Sequence, residues 1–177
     1  MQVYTSSAAD NIKKLAVAIE NINGASFANA KISGSLGDST CGTQGGQTPC
    51  SGYVDGIGTF ARYSTISGIA LQVTANGYGT DVALFIADQG NDAIRKLELT
   101  SGLYAATTFD TNVDPYAGAL GASYLAGIAV NSATNMLYVG CFTSIYSYNL
   151  QVGASSKALV AGQPASSANL GNPVLGA

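Results

Sequence analysis

Histidine and tryptophan are absent from this chain of 177 residues, and charge is scarce, with seven Lys and Arg against ten Asp and Glu. Without histidine the usual zinc ligand and the usual general base near neutral pH are missing, so the chain reads as non-catalytic, with no metal and no cofactor. Seven cations and a net charge of -3 exclude the clustered Lys and Arg that a nucleic-acid footprint needs. No apolar run approaches the roughly 18 to 20 residues that span a bilayer as a helix. Met1 to Asp10 lacks the basic start and apolar middle of a signal peptide, so either the chain is not targeted or its leader lies outside this sequence. Charged residues make up 10%, against about 25% in an average soluble protein, so the surface is built largely from small neutral side chains.

Cysteine is also scarce, with three residues. Cys41 and Cys50 bracket a Gly-rich loop, and a disulfide between them is expected. Closing so short a loop would stabilise by about 2 to 3 kcal/mol in the chain-entropy model. The alternative is two free thiols, since no metal ligands lie nearby. A bond there points to an oxidising compartment, and hence to an extracellular or cell-surface protein. Cys141, inside the apolar Met136–Phe142, reads as a small buried hydrophobe.

What is present is repetition. Ala83 to Ala87 is an apolar run with strand-favouring Phe85 and Ile86. Asp88-Gln-Gly-Asn-Asp92 then supplies a turn, with Gly90 able to take a positive φ and Asp88, Asn91 and Asp92 able to bond nearby backbone groups. Ile94 to Leu99 mixes apolar and charged residues, as expected of a strand leaving the core. Val3 to Leu15 lies on Phe85 to Leu97 without gaps, and Leu137 to Tyr148 is a third copy with a shorter turn. In the first copy Ser6 replaces Asp88 and Ala9 replaces Asn91, so the acids read as dispensable.

Other elements recur in the same order. Ser67-Gly-Ile-Ala-Leu71 precedes the second hairpin as Ala126-Gly-Ile-Ala-Val130 precedes the third, while Ala30 to Gly34 and Ala158 to Gly162 follow theirs. Four short strands in a period of about 50 to 60 residues are the pattern of a β-propeller blade, with the Gly-Ile-Ala strand innermost. The predicted organisation is all-β. It comprises a partial blade over 1–34, a Gly-rich loop over 35–65 and a complete blade over 66–109. A second loop over 110–123, a complete blade over 124–162 and the loop of a further blade over 163–177 follow. Closed propellers have about four to eight blades, so about three form only part of a ring. The chain is then a segment of a longer protein, or further copies complete it.

Tyr53-Val-Asp-Gly-Ile-Gly, Ser67-Gly-Ile-Ala-Leu71 and Leu84-Phe-Ile-Ala-Asp-Gln-Gly-Asn-Asp-Ala-Ile-Arg-Lys-Leu97 together resemble the NHL repeat. Its pattern runs from Asp-Gly-x-Gly through Gly-Ile-Ala to Ala-Asp-x-Gly-Asn and Ile-Arg-Lys. Ile66 stands where that family often has Pro, Ala75 to Thr80 lengthens a turn, and the third unit lacks the Asp-x-Gly-Asn turn. The resemblance implies a β-propeller of NHL type. Related propellers include lyases and hydrolases that hold an axial metal with histidines and carboxylates, and this chain has no histidine.

The remaining candidates read as structural. Asp88 with Asp92, and Asp110 with Asp114, have too few oxygen ligands for a calcium loop and are assigned to turn capping. Ser64 and Ser67 have no base partner and are assigned to turns. Asp55-Gly-Ile-Gly-Thr59 has the glycines of a phosphate loop but no following Lys. Tyr138, Tyr146 and Tyr148 alternate along one hairpin, either as a partner-facing set or as ordinary strand composition. The reading is a protein-interaction or structural module of an extracellular assembly. The alternatives are a propeller that binds a glycan or small ligand, and part of a metal-dependent lyase or hydrolase whose catalytic residues lie elsewhere.

Overall fold

In a computed structural model of the chain, residues 2–7, 11–16, 28–34, 52–77, 79–114 and 125–162 are described. They form three antiparallel sheets, of which the first and third are meanders in chain order. The first holds β1 (Gln2–Ser7), β2 (Asn11–Ala16) and β3 (Ala28–Ser33). The second holds β4 (Gly56–Ile57), β5 (Ile66–Asn76), β6 (Gly79–Asp88), β7 (Ala93–Glu98) and β8 (Ala105–Thr111), in the order β4-β8-β7-β6-β5. The third holds β9 (Gly127–Asn131), β10 (Met136–Gly140), β11 (Ser144–Asn149) and β12 (Ala158–Gly162), with β9 at one edge. The protein is all-β as expected, and the described residues form no closed ring. Cys41 and Cys50 lie outside the described residues, so the expected bond between them has no structural description.

The apolar run of β6 is explained by burial on both sides. Successive side chains alternate across a sheet, so Leu84 and Ile86 join Ile32, Tyr63, Leu97 and Ala106 in one cluster. Phe85 and Ala87 join Ile94, Leu137, Val139, Tyr146 and Tyr148 in another. The second sheet is therefore the middle layer, with a core on each face. Each fully buried Leu, Ile or Phe contributes about 1.5 to 3 kcal/mol of transfer free energy, which makes β6 a dense source of stability among the described residues. The edge strands β5 and β9 lie against each other. A Cβ on Gly68 would stand 3.3 Å from Ile128 Cγ2, so the small residue of Gly-Ile-Ala serves a close approach between sheets.

Several local expectations change. Ala75, Asn76, Gly79 and Thr80, read as part of a lengthened turn, are paired strand, because Thr74↔Asp81, Ala75↔Thr80 and Asn76↔Gly79 continue the β5–β6 ladder. The stretch 35–65, read as a loop, contains β4, which adds a fifth strand beside β8 through Gly56↔Ala106 and Ile57↔Ala105. The gapless alignment of the first two hairpins predicts Val3 opposite Lys14, by analogy with Phe85↔Lys96, yet Val3 pairs with Leu15. Register follows the turn, and the first turn has no equivalent of Asp88 or Asn91 to shape it.

Gly90 is needed for space, not for positive φ. Asp92 takes the left-handed conformation instead, at φ 48°. Gly90 donates its N–H to Ser64 O at 2.7 Å, and a Cβ there would fall 2.7 Å from that same carbonyl oxygen. Gly90→Ala is therefore expected to destabilise by about 1 to 3 kcal/mol through overpacking against backbone. A urea titration checks this, and an unchanged midpoint would show that the approach to Ser64 relaxes freely.

Candidate functional site

The densest polar constellation among the described residues is centred on Arg95 in β7. Its side chain and that of Asp88 are both 0% exposed. Arg95 Nη1 donates to Asp88 Oδ2 at 3.0 Å and to Arg62 O at 3.0 Å. Arg95 Nη2 donates to Asp55 Oδ1 at 2.6 Å and to Val54 O at 2.9 Å. Only a forked, planar guanidinium can hold two carboxylates and two carbonyls at once. Its face is covered as well, with Cζ 5.0 Å from the Tyr53 ring centroid and 5.2 Å from that of Tyr63.

Each partner then ties down a further segment. Asp88 Oδ1 accepts the Ser64 N–H at 2.7 Å, and Oδ2 accepts from Asn91 Nδ2 at 2.8 Å. Asn91 Nδ2 also donates to Gly52 O at 2.8 Å. Asp55 accepts the Thr108 N–H on Oδ2 at 3.0 Å and the Thr108 hydroxyl on Oδ1 at 2.9 Å, which pins its loop to β8. Tyr63 hydrogen-bonds Ser33 at 2.8 Å and Gly34 N–H donates to Gly58 O at 3.2 Å, so the segment 52–63 bridges the first sheet to the second. The cluster is a clamp on the crossover between two sheets.

Burial pushes the Asp88 carboxyl above its ordinary value, against the pull of the Asn91, Ser64 and Arg95 hydrogen bonds. Asp55 is half exposed. Its partial burial is outweighed by the Thr108 hydrogen bonds and then by Arg95, which together hold it below the ordinary carboxylate value. Burial raises the Tyr63 phenol to about 12, with the Ser33 hydrogen bond opposing.

A second set of polar contacts joins the second sheet to the third. Tyr148 donates its hydroxyl to Asp110 Oδ2 at 2.9 Å, and its ring meets Phe109 edge-on at 5.6 Å, which in turn meets Phe85 edge-on at 5.3 Å. Lys157 Nζ donates to Val113 O at 2.9 Å and stands 4.6 Å from the Tyr146 ring centroid.

Neither a protein-family model nor a curated protein matches the sequence. Among solved structures the chain is similar to an auxiliary nutrient binding protein from Bacteroides thetaiotaomicron VPI-5482, at 17% identity and a TM-score of 0.51. The match covers 78% of this chain and 32% of that one, so the chain spans about a third of that protein's length. Likeness at this identity concerns the fold alone.

The residues singled out from sequence now have places. Asp88 is not a surface turn cap and not dispensable in its own unit, since it is the buried counter-charge of Arg95. Nor does β7 leave the core, because Ala93, Ile94, Arg95 and Leu97 are all buried. Asp55 and Asp88 converge on one guanidinium, whereas Asp110 bonds Tyr148 and Asp92 Oδ1 accepts the Asp114 N–H at 2.9 Å. Among the described residues no group of three or more His, Cys, Asp or Glu side chains comes together. Ser67 belongs to β5 and donates to Ala87 O, while Ser64 offers its backbone N–H to Asp88. Tyr146 and Tyr148 are core residues and do not form a partner-facing set with Tyr138. Sequence reading missed Arg95 as the centre. The available signal was a single Arg two residues into a strand whose preceding turn begins with Asp.

Proposed function

We propose that the chain is a non-catalytic β-propeller segment of NHL type, working as a protein-interaction or structural module of an extracellular or cell-surface assembly. The observation that supports this best is the internal use of the repeat's charged motif. Asp55, Asp88 and Asn91 turn inward on Arg95 and the backbone, and of the two carboxylates on Arg95 only the half-exposed Asp55 reaches solvent. The Gly-Ile-Ala strands β5 and β9 lie against each other at adjoining sheet edges, which supports a blade-like reading of the two sheets. Exposed apolar side chains gather instead at the outer rim of the second sheet. There Ile57 and Phe60 flank a turn whose Gly58 N–H donates to Tyr104 O, beside exposed Leu103. Phe60 is 78% exposed, the kind of protruding aromatic that anchors a protein contact.

A photo-crosslinking residue at position 60, compared with one at exposed position 81, tests this in extracts of the source cells. A discrete adduct specific to position 60 and lost with Ile57→Ser is expected. Equal labelling at both positions, or turnover of a glycoside or ester by the purified chain with divalent metal, would overturn the reading. A second reading, capture of a small nutrient ligand, draws on the likeness to the nutrient binding protein. Thermal-shift screening with sugars and other small metabolites addresses it, and a saturable stabilisation would favour it over the protein-contact role.

A further inference from the structure

The second and third sheets share one register, and that register places different side chains at the charged clamp. Ile86 pairs with Arg95 as Val139 pairs with Tyr146, and Ala87 pairs with Ile94 as Gly140 pairs with Ile145. The ladders to the outer strands slip at the same step, between Ile94 and Arg95 and between Ile145 and Tyr146. Tyr146 therefore occupies the place of Arg95, and Cys141 that of Asp88. The crossovers entering the two sheets match as well, since Val54-Asp55 and Val113-Asp114 stand equally far before Gly68 and Gly127.

With tyrosine in the arginine place, that position of the third sheet offers no cation to its crossover. One arrives from the other side. Lys157 Nζ donates to Val113 O at 2.9 Å, as Arg95 donates to Val54 O, and also to Asn112 O at 3.4 Å. It stands 4.6 Å from the Tyr146 ring centroid, so the ring that replaces the guanidinium seats the incoming ammonium. The preceding turn aims it. The Ser156 hydroxyl accepts the Asn149 N–H at 2.8 Å and donates to Gly153 O at 2.6 Å, fixing the single turn Ala154–Ser156 from which Lys157 extends. Cys141 and Asp114 belong to the same site, since burial and then Asp114 push the thiol up to about 12 while Lys157 opposes them.

We propose that Lys157 is the latch of the third crossover, holding residues 112–114 on the third sheet in place of the absent arginine and releasing them when its charge is removed. An arginine keeps its charge under all ordinary conditions, whereas acylation neutralises a lysine. The Arg95 side chain is sealed from water, and Lys157 is partly exposed. The two clamps therefore differ in permanence. The second crossover is fixed by four buried hydrogen bonds, and the third opens locally without unfolding the sheets it joins.

Amide hydrogen exchange in the whole chain reads the latch locally, because the Val113 N–H donates to Asp92 O and the Asp114 N–H to Asp92 Oδ1. Lys157→Gln should raise exchange at these two amides more than tenfold. The Arg62 and Thr108 amides, which donate to Val54 O and Asp55 Oδ2 at the second crossover, should be unchanged. Lys157→Arg should keep the wild-type protection. Tyr146→Arg with Cys141→Asp, added to Lys157→Gln, rebuilds the second sheet's pair and should return both amides toward wild-type protection. Three results would each overturn the proposal: unchanged exchange in Lys157→Gln, an equal rise at both crossovers, or the same loss in Lys157→Arg. A triple variant that keeps its far-ultraviolet dichroism without recovering protection would refute the exchange of roles between positions 146 and 157.

Discussion

Arg95→Met is expected to lower the unfolding free energy by about 3 to 5 kcal/mol, a large share of the 5 to 15 kcal/mol typical of a domain. The loss comes less from the ion pairs themselves than from what they leave behind. Asp88, 0% exposed, would keep only Asn91 and the Ser64 N–H, and the carbonyls of Val54 and Arg62 would each lose one of two donors, keeping the backbone N–H of the other. Asp88→Asn added to Arg95→Met should recover part of the loss, since a neutral amide removes the uncompensated charge. The pH dependence supplies a second readout. With Arg95 gone, burial raises the Asp88 pKa against only the Asn91 and Ser64 hydrogen bonds, so the folded state holds its proton to higher pH than the unfolded state, whose ordinary value is 3.8. The penalty is then present at neutral pH and relieved as pH falls toward that value. The variant should therefore gain stability on mild acidification. Urea midpoints for the single and double variants at two pH values test this. A loss below about 1 kcal/mol, the range of an exposed ion pair, would show that the cluster is solvated in solution.

Raising the pH should unfold the wild-type chain in one cooperative step between about pH 10 and 12. Three buried acids drive it. Burial lifts Tyr63 from 10.0 to about 12 and Cys141 from 9.0 to about 12. It also raises Tyr148, whose hydroxyl is further held by the Asp110 carboxylate. In each case the folded pKa exceeds the unfolded one, so the stability is fully present below the unfolded value and is lost as pH climbs toward the folded value. Each group costs about 1.4 kcal/mol per pH unit within that window, and three acting together reach the size of a domain's whole stability within one or two units. Tyrosinate absorbance and circular dichroism followed together should change at the same pH. Gradual ionisation of every tyrosine near pH 10 with the dichroism intact would show that Tyr63 and Tyr148 are not buried as described. Tyr63→Phe should shift the step upward.

Much of the fold was legible before any coordinates. The period-2 pattern, the recurring Gly-Ile-Ala segments and the apolar run of Ala83 to Ala87 specify strands, their order and their antiparallel pairing, because side-chain alternation and short turns are local properties. What sequence comparison misjudged were features set by partners remote along the chain. Asp88 reads as an ordinary turn acid, and its substitution by Ser6 in the first copy suggests that it is expendable. Its burial depends on Arg95, Asn91 and Ser64 converging on it. The two hairpins aligned without a gap and still differ by one residue in register, since register is chosen by the turn and by the sheet packed beneath.

Composition and short-range pattern were enough to specify the all-β class, because strand alternation and short turns are written locally in the chain. Tertiary structure alone decided the role of the charged motif. A guanidinium that reads as the solvent edge of a strand sits at the junction of two sheets, because the crossover segment 52–63 folds back over β7 and excludes water from it. In the low dielectric of that junction four hydrogen bonds and two counter-charges are needed to hold one Arg, and no local pattern in the chain records that requirement.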